Sequence, residues 1–311
     1  MLNSLCDVPG IRVGHAQDEI ARTGCTVILP DRPAIAGVDV RGSAPGSREI
    51  EVLKPTRLVQ EIHGILLTGG SAFGLDAAGG VQKYLEERGI GYAVQVTKVP
   101  IVPTAVIFDL AVGDAKVRPT AEMAYRACEN ATTSETRTGL VGVGCGATVG
   151  KIRGVQHCML GGVGMASWKS GNLVIGVLVV VNALGDVIDP KNGKIIAGAK
   201  NDDGSFLNTQ EYFKSHFLSP FKSWGNTTLA LVATNAGFKR DGVTKIAEMA
   251  QDGLAYVIRP SHTLFDGDMV FALSVGDEPA DVMAIGAIAA ELVSEAIVQA
   301  VRVSNQLDLA L

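Results

Sequence analysis

Apolar residues recur along this chain in two ways, as short continuous runs and as faces spaced three or four residues apart, and each predicts a different element. The run GILLTGG (Gly64–Gly70) is closed by glycines and predicts a buried strand. In the segment that follows, Leu75, Ala78, Val81 and Leu85 recur at helical spacing and Gly89 supplies a stop, so a helix is expected there. A second amphipathic helix is expected from Thr120 to about Ala131. The glycine-punctuated block from Thr138 to Asp189 predicts several consecutive strands joined by tight turns. From 197 to 225 the pattern lapses into polar residues, scattered aromatics and Pro220, which predicts a long surface linker. It then resumes as a strand (TLALVATN), a helix (DGVTKIAEMAQDGLA), a strand (MVFALSVG) and a last helix from Pro279 to about Ser304. On that last helix Val282, Ile285, Ala289, Leu292, Ala296 and Gln299 share one face, so it packs along most of its length. Strands clustered mid-chain with helices on both sides favour a layered α+β fold over an alternating parallel sheet.

Composition narrows the function. With 47% hydrophobic and 19% charged residues the chain reads as globular, and its 37 glycines point to tight turns and close backbone approaches. A formal net charge of −5 gives no electrostatic footprint for nucleic acid or anionic lipid, so neither is an expected partner. The longest apolar run, Leu173–Leu184, is too short to span a bilayer, and MLNSLCDVPGIRVGH has no secretory pattern, so a cytoplasmic location is expected. Cys6, Cys25, Cys128, Cys145 and Cys158 are scattered and lack a C-x-x-C, which fits buried small hydrophobes in a reducing compartment. Cys145, in GVGCGATVG, is the one thiol held in reserve. TGGSAFGLDAAGG lacks both the G-x-G-x-x-G spacing and a Walker lysine, and Asp266-Gly267-Asp268 lacks further acidic residues at EF-hand spacing. No cofactor and no metal are expected.

One stretch carries chemistry: WGNTTLALVATNA (Trp224–Ala236), where two threonines open an apparent core strand. A threonine hydroxyl is a poor nucleophile until a base takes its proton, and cutting the chain just before it lets the residue's own amine do so. That amine has an ordinary pKa of about 7.7–8.0, close to working pH. A flexible pair, Gly225-Asn226, precedes Thr227, and a rigid strand follows it. The plain alternative is a turn followed by the first residues of a strand.

Seven segments in order, VDVRGSAPGSRE, LLTGGSAFGLDAAGGVQKYLEERG, VPIVPTAVIFDL, GCGATVGKI, LVIGVLVVVNALGDVID, GNTTLALVATNA and SHTLFDGDMVFALS, resemble the L-aminopeptidase/D-esterase family. That family includes β-aminopeptidases and an endo-type nylon-oligomer hydrolase, and the likeness runs from about Pro9 to the last helix. It implies one domain over 1–311, a four-layer αββα sandwich. It further implies a self-cut between Asn226 and Thr227 into chains 1–226 and 227–311, assembled as a homotetramer of αβ units. Thr227 would be the nucleophile and Lys151 its cationic neighbour. Asn182 would donate to the oxyanion, and Asp266 and Asp268 would orient the nucleophile and its amine. Phe108 departs from the pattern, because several relatives carry a tyrosine there whose hydroxyl helps hold the oxyanion. Ser71 and Ala72 would bring a helix N-terminus to the pocket. None of the five histidines is required, and His262, the one near this chemistry, is expected to be structural. The implied substrates are short peptides or amino-acid amides with a free amino end, or related oligomers cut internally. An acyltransferase of the ornithine acetyltransferase type and an uncut, non-enzymatic scaffold are the rival readings.

Overall fold

The structure, a computed structural model, describes residues 1–218 and 225–307. The main strands are, in chain order, β1 (Ile11–Asp18), β2 (Thr23–Pro30), β3 (Ala34–Val40), β4 (Ile65–Thr68), β5 (Thr104–Val106), β6 (Gly162–Ser170), β7 (Leu173–Asn182), β8 (Thr227–Ala236) and β9 (Met269–Glu278). The helices are α1 (Ala78–Glu86), α2 (Ala121–Glu129), α3 (Thr209–Ser215), α4 (Arg240–Ala250), α5 (Asp252–Val257) and α6 (Val282–Ser304). One sheet has the order β1-β2-β4-β5 and ends on the short strand Ser47–Arg48. The other has the order β6-β7-β8-β9-β3 and ends on Glu61–Ile62.

Side chains alternate across a strand, so each sheet has two faces to bury. On β8, Leu229, Leu231 and Ala233 enter the space between the sheets, where they meet Val13, Ile28, Ile65 and Leu67. Ala230 and Val232 face the other way, onto Val243 and Ile246 of α4 and Ile285 and Ala289 of α6. On the first sheet Val27, Leu29 and Leu66 are covered by Val81 and Leu85 of α1 and Met123 and Ala127 of α2. The layers are therefore α, β, β, α, with each fully buried Leu or Val contributing about 1.5–3 kcal/mol.

Local chemistry sets the element ends. Thr120 caps α2 by accepting the Met123 N–H, and Asp281 caps α6 by accepting those of Met283 and Ala284. By length and composition α6 could cross a membrane, but its apolar face is packed on β6, β7 and α4. It comes so close to β6 that a Cβ at Gly164 would stand 1.9 Å from the Ala296 carbonyl oxygen. The helix expected over 241–255 is two helices that meet at Gln251.

Two expectations need correcting. The helix after β4 begins not as α-helix but as a 3-10 turn over Ser71–Ala77, because the chain passes through left-handed backbone at Gly70 (φ 81°) and Ser71 (φ 52°). The stretch 197–225 is built into the fold as far as Ser215 rather than running free over the surface. Asp186 is the anchor: its carboxylate accepts the Ala199 N–H (2.9 Å), the Thr209 N–H (2.6 Å) and the Thr209 hydroxyl (2.9 Å). Leu207, Tyr212 and Phe213 then pack on Ile152, Leu184 and Ala199. An anchor made by one carboxylate leaves no apolar period to read. Residues 219–224 of that stretch lie outside the described residues.

Candidate active site

β8 lies inside the second sheet, paired antiparallel with β7 and parallel with β9. Its first residue, Thr227, stands directly opposite Asn182, the last residue of β7. By parity with Leu229 and Val180 both face the space between the sheets. Thr227 is 4% exposed and Asn182 is wholly buried. Just upstream, the Asn226 N–H donates to the Phe265 carbonyl (3.0 Å) and the Gly267 N–H donates to the Asn226 carbonyl (2.8 Å). The Thr227 hydroxyl donates to that same Asn226 oxygen at 2.5 Å. A hydroxyl and a backbone donor thus converge on the carbonyl of the Asn226–Thr227 bond. A Cβ at Gly267 would sit 2.8 Å from Thr227 Oγ1 and 2.7 Å from the Ala44 carbonyl oxygen, so the position has room only for glycine. The Gly267 amide was not foreseen; the glycine between two aspartates was its only signal.

Lys151 does not approach Thr227 through a hydrogen bond; it holds Asn182. Its Nζ donates to the Asn182 carbonyl (2.9 Å) and to Asn182 Oδ1 (2.7 Å), which also accepts the Thr148 N–H (3.1 Å). Two donors on Oδ1 fix the amide's orientation, so Nδ2 is the atom left to donate. One of its hydrogens goes to the Phe108 carbonyl (3.1 Å). An oxyanion site needs such a preset donor. Burial pushes the Lys151 ammonium down to about 7, against the opposing pull of Cys158, Asp266, Asp109 and Asp268.

The two aspartates, each 2% exposed, divide their work. Asp268 Oδ1 accepts the Thr228 N–H (2.7 Å), while Oδ2 meets both the His262 N–H (3.0 Å) and His262 Nδ1 (2.8 Å). Asp266 accepts the Thr263 N–H (2.9 Å) and hydroxyl (2.5 Å), with the Leu184 N–H at 3.4 Å. Burial, with the nearby Asp268 carboxylate, pushes Asp266 up to about 6.

The remaining candidates are less central. The Phe108 ring lies against Gly225, where an added Cβ would be 3.0 Å from it, so an apolar face flanks the residue two before Thr227. The Ser71 N–H is taken by the Ile107 carbonyl and Ala72 is exposed in the 3-10 turn, so no α-helix N-terminus is presented there. Cys145 is buried, which pushes its thiol up and away from nucleophile behaviour. Among the described residues no cluster of His, Cys, Asp and Glu is arranged to hold a metal.

The Lys151 shift makes a stability prediction. Unfolded, a lysine keeps its proton to about 10.5, whereas folded Lys151 keeps it only to about 7. Between those values the unfolded state binds more protons, so this group stabilises the fold increasingly as pH rises, by roughly 1.4 kcal/mol per unit. Thermal unfolding of Thr227→Ala and Thr227→Ala/Lys151→Met should show the lysine-containing chain gaining on the methionine one from pH 7 to 10. A difference that does not change with pH would mean an ordinary lysine.

Comparison with known proteins places the chain in a family and a fold. The sequence profile of peptidase family S58 matches residues 3–309. An uncharacterized aminopeptidase of Mycobacterium bovis is 41% identical over 331 aligned positions, covering 96% of this chain and 94% of that one. A 6-aminohexanoate-oligomer endohydrolase of Kocuria sp. is 29% identical over 313 positions, covering 95% and 85%. Among solved structures, a Burkholderia sp. beta-aminopeptidase superposes with a TM-score of 0.68 at 24% identity, covering 96% of this chain and 86% of that one. The L-aminopeptidase D-Ala-esterase/amidase from Ochrobactrum anthropi, described as a variant of the Ntn hydrolase fold, superposes with a TM-score of 0.73 at 19% identity, covering 96% and 85%. The four-layer fold is shared with both.

Proposed function

The chain belongs to peptidase family S58 and is a hydrolytic enzyme, and from that premise we propose that it cuts itself at Asn226–Thr227 and then works as an N-terminal threonine aminopeptidase. The observation that carries this reading is the convergence of Thr227 Oγ1 and the Gly267 N–H on the Asn226 carbonyl oxygen. In the self-cut, Thr227 Oγ attacks the Asn226 carbonyl carbon and the Gly267 amide supports the oxyanion. The C–N bond breaks, the Thr227 nitrogen takes up a proton, and an ester joins Asn226 to Oγ. Water hydrolyses that ester, leaving an Asn226 carboxylate and a Thr227 with both hydroxyl and amine.

In turnover the free amine accepts the hydroxyl proton as Oγ attacks the substrate carbonyl. Asn182 Nδ2 stabilises the oxyanion, held to that task by Lys151 and Thr148. The leaving amine carries the proton away, and water releases the acyl group from Oγ. The names of the relatives support short peptides or amino-acid amides with a free amino end as the first substrate class, with internally cut amide oligomers as the second.

Intact-mass measurement and N-terminal sequencing test the cut. Purified protein should resolve under denaturing conditions into 1–226 and 227–311, with Thr227 as the first residue of the smaller piece. One undivided chain after long incubation would overturn the reading. Added ornithine should not speed consumption of the acyl-enzyme; if it does, transfer rather than hydrolysis is the activity.

A further inference from the structure

We propose that His262 is a positioning residue of this site, clamping Asp268 so that its carboxylate fixes the opening of β8. The catalytic consequence rests on the function proposed above; the clamp itself does not. Asp268 is nearly sealed from solvent, and its backbone is already fixed, its carbonyl accepting the Arg41 and Gly42 N–H groups (3.1 and 3.2 Å). What is left to set is the side-chain rotamer. His262 sets it from two directions, with its backbone N–H and its ring Nδ1 on one oxygen, which leaves the other oxygen to hold the Thr228 N–H. A carboxylate at this point only accepts, so Nδ1 carries the hydrogen.

The residue type is not explained by the turn. His262 has φ 55°, left-handed backbone that costs a residue with a β-carbon about 1–2 kcal/mol and that glycine or asparagine adopts more readily. Arg22, Glu49 and Ser71 hold similar angles, so what singles out this histidine is its ring on Asp268 Oδ2 and not its backbone. The held Thr228 amide lies one residue from the hydroxyl that must reach the Asn226 carbonyl, so slack at Asp268 is transmitted to the reacting atoms.

His262→Gly removes the ring donor while relieving the backbone, and His262→Asn keeps an N–H donor on a side chain that tolerates positive φ. If the ring is the clamp, His262→Gly should slow self-cleavage and lower kcat on the order of 10–100-fold, with KM changed by less than about 3-fold. His262→Asn should retain most of the rate, and added imidazole should partly restore the glycine variant. A glycine variant equal to or faster than the asparagine one, without response to imidazole, would reduce His262 to a turn former. Hydrogen exchange across 226–230, measured on an uncut Thr227→Ala background, should be faster with His262→Gly than with the parent histidine. Unchanged exchange overturns the clamp whatever the kinetics, whereas faster exchange on that background, with a Thr227-containing parent that neither cuts nor hydrolyses, would sink the functional reading alone.

Discussion

Thr227→Ala should remain a single chain of 311 residues and should show no hydrolysis of any amide the wild type cleaves. The substitution removes the hydroxyl that Thr227 places on the Asn226 carbonyl, so neither the proposed acyl shift nor the later acyl-enzyme can form. Loss of a nucleophile of this kind lowers kcat on the order of 10⁴-fold or more. The fold should survive, because β8 keeps its ladders to β7 and β9 and loses only a small buried group, about 1 kcal/mol. A denaturing gel and an amidase assay read both outcomes. If the variant still divides, another nucleophile acts. Thr228 is a poor candidate, since its parity with Ala230 turns its hydroxyl to the helix side, where that oxygen is buried without a partner among the described residues.

Asn182→Asp should separate the two reactions. The carboxylate keeps the acceptor that Lys151 and Thr148 require, so the local structure is retained, while the Nδ2 donor becomes a second acceptor. Hydrolysis should lose about 10²–10³ in kcat, the usual effect of deleting one oxyanion donor, with little change in KM. Self-cleavage should suffer much less, because the Asn226 carbonyl is served by the Gly267 amide. Equal losses in both reactions would show that one oxyanion site serves both, and the assignment of Gly267 would fall.

The parts of this molecule that could be read from the chain are those whose position follows from local period. β7, β8, β9 and α6 announce themselves by apolar runs and faces, and Asn182 by being the amide that closes such a run. Taken by itself, Lys151 in GCGATVGKIRG reads equally well as a solvated charge at a strand end. It is buried because the Gly150 and Lys151 N–H groups reach across to the Gly185 and Leu184 carbonyls, a pairing between segments over thirty residues apart that leaves no local trace. His262 reads as structural from the sequence because a loop histidine has no periodic signature; only its contact with Asp268 gives it a further part. The expected helix N-terminus at Ser71 and Ala72 failed for a related reason, since two consecutive left-handed residues redirect the chain where composition suggested plain helix.

The place of β8 within its sheet has a consequence for biosynthesis. The piece 227–311 that the proposed cut would release contains β8, α4, α5, β9 and α6, and each of its strands is hydrogen-bonded to a strand of the remaining chain, β8 to β7 and β9 to β3. The larger piece holds the whole first sheet, but the second sheet and the core between the two sheets are built from both pieces, so the proposed scission would remove a covalent link without creating two separable bodies. On the proposed reading one polypeptide has to be translated and folded before it is cut, and two genes encoding the halves would be a poor substitute for one.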